Sequence, residues 1–243
     1  MHCHCGPITG LLNGDLRIKP SKGSNRDVKV DLRKPTIVIA GAFNPAIFQP
    51  GWIANILYEI PEGEDVDGVF VRNLADQTTV PYIKRVGVLA EMHRLSVFVD
   101  SLDTSTVAIA EGIVRTLAEA LPHTPVGGLG VNFHFEEPDV DAAIVDMLKA
   151  QDKPEKIGPV LQNEVTSAVD IGETTLNIGR SIQDGTLAVR FNYHRSVDGM
   201  NDVADLELNI AEAFGKSREI LESLYSLSVE DDEIDYYKAL SQG

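Results

Sequence analysis

The sequence is poor in cysteine, in long apolar runs and in the glycine patterns that hold nucleotides. Its only two cysteines are Cys3 and Cys5. Two thiols so close together make a poor staple, so a disulfide framework is excluded as the basis of the fold. No apolar run approaches the ~20 residues that a membrane-spanning helix needs. The N-terminus, Met1-His2-Cys3-His4-Cys5-Gly6, lacks the apolar core of a signal peptide, and a cytoplasmic location is expected. Neither Gly-x-x-x-x-Gly-Lys-Ser/Thr nor Gly-x-Gly-x-x-Gly occurs. Gly127-Gly128-Leu129-Gly130 leads into a predicted strand instead of a helix N-terminus, so it does not form a phosphate cradle. Gly-x-Ser-x-Gly and His-Glu-x-x-His are missing too, which removes serine-elbow hydrolases and zincin-type peptidases. The acidic clusters at 62–67 and 136–141 lack calcium-loop spacing. His2, Cys3, His4 and Cys5 are soft ligands, but neighbours in sequence cannot wrap one tetrahedral ion. No cofactor and no metal are expected.

Positive charge is scarce and uneven. The chain of 243 residues carries a net −16. Residues 1–34 hold seven basic against three acidic side chains, a net of +4, which leaves about −20 for the rest. A body this acidic is a poor binder of nucleic acid, because phosphates require a positive surface. Its expected partner is another protein, basic or a second copy of itself, and neither nucleic acid nor a membrane.

The order of apolar periods predicts an α+β fold: a mainly antiparallel sheet with helices on one face. Residues 1–34 read as a flexible basic arm, punctuated by Gly14, Pro20, Gly23 and Ser24. A first subdomain covers 35–152. It opens on the strand Thr36-Ile37-Val38-Ile39-Ala40-Gly41, followed by a short helix from Pro50 to about Tyr58. Strands are predicted near 69–71, 83–92 and 94–100. A helix capped by Thr104 or Ser105 runs to Leu121, a strand occupies 129–135, and a helix 139–150. A second subdomain covers 153–228. Its strands lie near 163–170, 173–180 and 186–194, with a hairpin turn at Gln183-Asp184-Gly185. A long helix over 201–227 is interrupted by Gly215, read as a kink or a close contact. An acidic tail covers 229–243.

Two stretches resemble each other: Val131-Asn132-Phe133-His134 and Phe191-Asn192-Tyr193-His194. Each places an Asn and a His on one strand face, before a turn and a helix. They suggest two similar β-β-α subdomains and make Asn132, His134 and Asn192 candidate binding residues. Trp52 is a core anchor or an interface anchor. Tyr236 and Tyr237, in the acidic tail, are candidate docking anchors.

His194-Arg195-Ser196-Val197-Asp198-Gly199 resembles the His-x-x-x-Asp-Gly signature of the superfamily of chloramphenicol acetyltransferase, dihydrolipoamide acyltransferase and condensation domains. The resemblance covers six residues, and Tyr193 stands where many members carry a first histidine. It implies His194 as general base toward a thiol or hydroxyl acceptor, with Asp198 structural. The expectation from the rest of the chain is different. A basic arm, an acidic body and an acidic aromatic tail describe a non-catalytic interaction or assembly protein. Acyl transfer through His194 is the alternative, and an acidic decoy of a nucleic-acid-binding protein a further one.

Overall fold

In a computed structural model of the chain, the structure describes residues 26–72, 79–138, 144–145, 163–183 and 185–229. The strands are β1 (Arg26–Val30), β2 (Ile37–Gly41), β3 (Gly68–Arg72), β4 (Thr79–Ile83), β5 (Val86–Glu91), β6 (Arg94–Val99), β7 (Val126–Glu137), β8 (Asn163–Asp170), β9 (Thr175–Gln183), β10 (Thr186–Ser196) and β11 (Leu227–Val229). The helices are α1 (Pro50–Trp52), which continues as a π turn over Ile53–Leu57, α2 (Thr104–Ala120), α3 (Met200–Asp205) and α4 (Ile210–Tyr225).

The α+β expectation holds. One antiparallel sheet runs in the order β3-β4-β5-β6-β2-β7-β10-β9-β8. Strand β1 joins it antiparallel to β7, and β11 lies parallel to β1. Alternation decides which face is buried. On β10, Leu187, Val189, Phe191 and Tyr193 point into the core, beside Phe133 and Phe135 of β7. Ile37 and Ile39 of β2 and Leu95 and Val97 of β6 continue the same face. Helix α2 covers it with Ala110, Ile113, Val114 and Leu117, and α4 with Ile210, Ala213 and Leu221. Among the described residues, the opposite face has a small apolar cluster of its own, Val80, Tyr82 and Phe98.

The folded body starts earlier than the sequence suggested. Residues 26–34, assigned to the arm, include β1, whose Val28, like Leu32 after it, is buried. Their alternation is short and flanked by charge, so it reads as polar chain. Both β1 and β2 lie along the same edge of β7, separated by the turn at residues 31–36. Asp31 shapes it: its Oδ1 accepts from the backbone N–H and the Nε of Arg33 at 3.1 and 2.6 Å.

The cap of helix α2 lies one residue before the proposed Thr104 or Ser105. Asp103 is its N-cap, with Oδ1 accepting from the N–H groups of Ser105 and Thr106, each at 2.9 Å. The long C-terminal helix is two helices. The break lies at 206–209 and not at Gly215. Asn209 there is left-handed (φ 51°, ψ 43°), and the N–H of Ile210 is satisfied by Glu111 Oε1 of α2 at 3.1 Å. Gly215 lies inside α4, and a Cβ there would meet open space. The predicted helix over 139–150 falls outside the described residues except 144–145, which are helical. Residues 151–162 also fall outside them. No helix among the described residues is long and apolar enough to cross a membrane.

Candidate functional site

The two sequence stretches lie side by side. Strands β7 and β10 are antiparallel neighbours, and Asn132 is the direct partner of Asn192. Asn177 of β9 continues the row as the partner of Asn192 on its other side. The three amides form a ladder on the sheet face away from the helices. Asn177 Nδ2 donates to Asn192 Oδ1 at 3.0 Å, Asn192 Nδ2 to Asn132 Oδ1 at 2.8 Å, and Asn132 Nδ2 to the Gly130 carbonyl at 3.1 Å. Such a row satisfies itself across three strands and fixes their register. It has no nucleophile and no proton-transfer group. Asn177 was missed because its strand shows no repeat of the Asn-x-His pattern.

The glycines of β7 make room for this row. A Cβ at Gly130 would lie 2.5 Å from Asn192 Nδ2, and one at Gly128 would lie 2.8 Å from His194 Cε1. The glycine-rich run therefore carries side chains of β10 flat across its backbone. His134 lies opposite Arg190 on the same face. Burial, with Lys34 and Arg190 nearby, pushes its pKa down to about 4, against a smaller upward pull from Asp31.

His194 is half-buried over Gly128, on the face away from the helices. A cavity of about 160 Å³ opens on the helix face, floored by Leu129, Val131, Tyr193 and Leu206, with Arg195 and Lys216 among its polar lining. His194 does not line it. Asp198 is exposed, and its backbone N–H donates to Asp202 Oδ2 at 2.7 Å. The polar lining is largely self-paired: Lys216 Nζ lies 2.7 Å from Glu212 Oε1, and Arg195 Nε donates to Thr174 Oγ1 at 2.9 Å. The volume is well below the ~300 Å³ at which ordinary ligand pockets begin. Trp52 is half-buried, edge-on to Phe48 with ring centres 5.1 Å apart. Tyr236, Tyr237, His2, Cys3, His4 and Cys5 lie outside the described residues, and among those residues no group of His, Cys, Asp and Glu gathers as a metal site.

The other end of the sheet presents a different surface. β8 is the terminal strand, paired only with β9 among the described residues. On its helix face, Val165 and Val169 line up with Arg180 and Leu176 of β9, and Ile171 follows the strand. They are 37%, 42% and 43% exposed. The N–H of Ile171 donates to the carbonyl of Thr174. Antiparallel bonding alternates from that point, so Glu164, Thr166, Ala168 and Asp170 turn their amides and carbonyls outward. Proline, lysine and bulges, which blunt natural sheet edges, do not occur in β8. The sequence reading found the strand but not its edge position, because strand order depends on long-range pairing.

No protein family, curated protein or solved structure matches the chain.

Proposed function

We propose that this protein is a non-catalytic interaction or assembly protein that binds other protein chains through the open edge of β8. The observation that carries this is the juxtaposition of outward backbone groups with Val165, Val169 and Ile171, large apolar side chains left 37–43% exposed beside them. An extended segment added there gains main-chain hydrogen bonds from the edge and apolar contact from the valines. The acidic body selects for a basic partner, or for the basic residues 1–34 of another copy of the chain. We also read 35–152 and 153–228 as related β-β-α units meeting at the β7–β10 seam, a relation supported by the Asn132–Asn192 pairing across it.

The test compares the tagged full chain with Ala168→Pro, recovered at native expression level from its own cells. Proline at 168 removes an outward amide while the ladder to β9 is kept. The expected result is a stoichiometric partner, or a second untagged copy, held by the wild type and lost by the variant. Equal recovery of that partner by both proteins would remove β8 from the interface.

A further inference from the structure

We infer that the partner of β8 is β8 of a second copy, paired antiparallel about a two-fold axis at Ser167. This rests on the interaction reading of β8 and adds the identity and register of its occupant. The strand reads Glu164-Val165-Thr166-Ser167-Ala168-Val169-Asp170. It is nearly the same in both directions: acid, valine, small residue, serine, small residue, valine, acid. An isologous contact requires this kind of self-complementarity, because each residue meets its two-fold mate.

The hydrogen-bonding phase admits the same axis. The outward-turned residues are Glu164, Thr166, Ala168 and Asp170. A two-fold centred on Ser167 opposes Thr166 to the second copy's Ala168, and Glu164 to its Asp170. Outward groups then meet only outward groups, and the whole strand is bonded. The helix-face residues become the closely spaced, non-hydrogen-bonded pairs, with Val165 against the other copy's Val169 and Ser167 against Ser167. Four valines close over the seam as an extension of the core face, covering the surface now left open. Moving the axis by one residue in either direction shortens the bonded stretch and sets valine against serine. Glu164 and Asp170 lie on the other face, where Arg190 pairs with Glu164 and offsets the like charge.

The experiment uses the full chain with Cys3→Ser and Cys5→Ser, so that introduced thiols are the only ones. Sedimentation velocity from about 1 to about 100 μM covers the affinities that small interfaces give. The wild-type background is expected to sediment as a dimer within that range, and Ala168→Pro to weaken the dimer at least about tenfold. Ser167→Cys is expected to form an interchain disulfide under mild oxidation, since a self-opposed non-hydrogen-bonded pair brings the two positions close enough to bridge. Val165→Cys, which faces Val169 of the other copy, is expected to cross-link far less. The cross-linking pattern decides the register even if the proline variant folds poorly. A monomer over the whole concentration range overturns self-pairing and leaves the interaction reading to its own partner test. A dimer that survives Ala168→Pro and leaves Ser167→Cys unlinked overturns β8 as the seam.

Discussion

His134 reports on how the open face of the sheet is wired. Its ordinary pKa of 6.5 falls to about 4 in the fold, mainly through burial and then through Lys34 and Arg190. The unfolded chain therefore binds this proton at a higher pH than the folded chain does. Stability from the neutral ring is complete above about 6.5 and is lost progressively as the pH falls to about 4. Allowing for partial exposure, the slope in that window is about 1 kcal/mol per pH unit. His134→Gln is expected to flatten the wild-type dependence between those limits in urea melts. Parallel curves for the two proteins would mean that other groups carry the acid response. A buried charge is stricter. The Asp100 side chain is fully buried, and burial pushes its carboxyl up despite Arg85, whose Nε lies 2.9 Å from Oδ1. Arg85 occupies a left-handed turn (φ 70°) between β4 and β5, held there by this pair. Arg85→Ala is expected to destabilise the protein by on the order of 3 kcal/mol, because the remaining carboxylate is buried without its cation. Asp100→Asn in the same background should recover part of that loss in thermal melts.

Elements were legible where periodicity was long and its punctuation local. The alternation of β10 and the apolar stripe of α2 placed both within a few residues. Elements fixed by distant partners were not. Val28 and Val30 make β1 a strand only because β7 and β11 lie beside it. The break between α3 and α4 depends on Glu111, 99 residues from the amide it accepts. Among the candidate site residues, Asn132 and Asn192 were visible as a repeated pattern. Their contact with each other and with Asn177 required strand order, which one sequence does not carry. The misplaced helix break makes a clean prediction. Gly215 has no packing reason to be glycine, so Gly215→Ala is expected to stabilise the protein by about 0.5–1 kcal/mol. Asn209 is the left-handed residue that permits the break, so Asn209→Val is expected to cost about 1–3 kcal/mol, whereas Asn209→Gly stays near neutral. Denaturant midpoints of the three variants test both statements. A destabilised Gly215→Ala would return the kink to Gly215.

The charge of the whole molecule separates the kinds of partner from one another. Each copy carries −16, so two copies approaching edge to edge repel over the distance that salt leaves unscreened. The Debye length is about 10 Å at 0.1 M salt and shortens as salt rises. A seam built from backbone hydrogen bonds and four valines does not itself depend on opposite charge. Its dimer is therefore expected to tighten several-fold between about 50 mM and about 300 mM salt, as screening removes the repulsion. A basic partner attracted by the acidic body shows the reverse, because the same screening weakens the attraction that recruits it. Head-to-tail contact between the basic residues 1–34 of one copy and the acidic body of another would weaken as well, and it would generate open chains where the two-fold seam stops at two. Sedimentation equilibrium at the two salt concentrations reads both features at once. A dimer that strengthens with salt and goes no further fits the Ser167 axis. An assembly that grows without limit and dissolves as salt is added would place the association on opposite charge, and β8 would then need another explanation for its exposed valines.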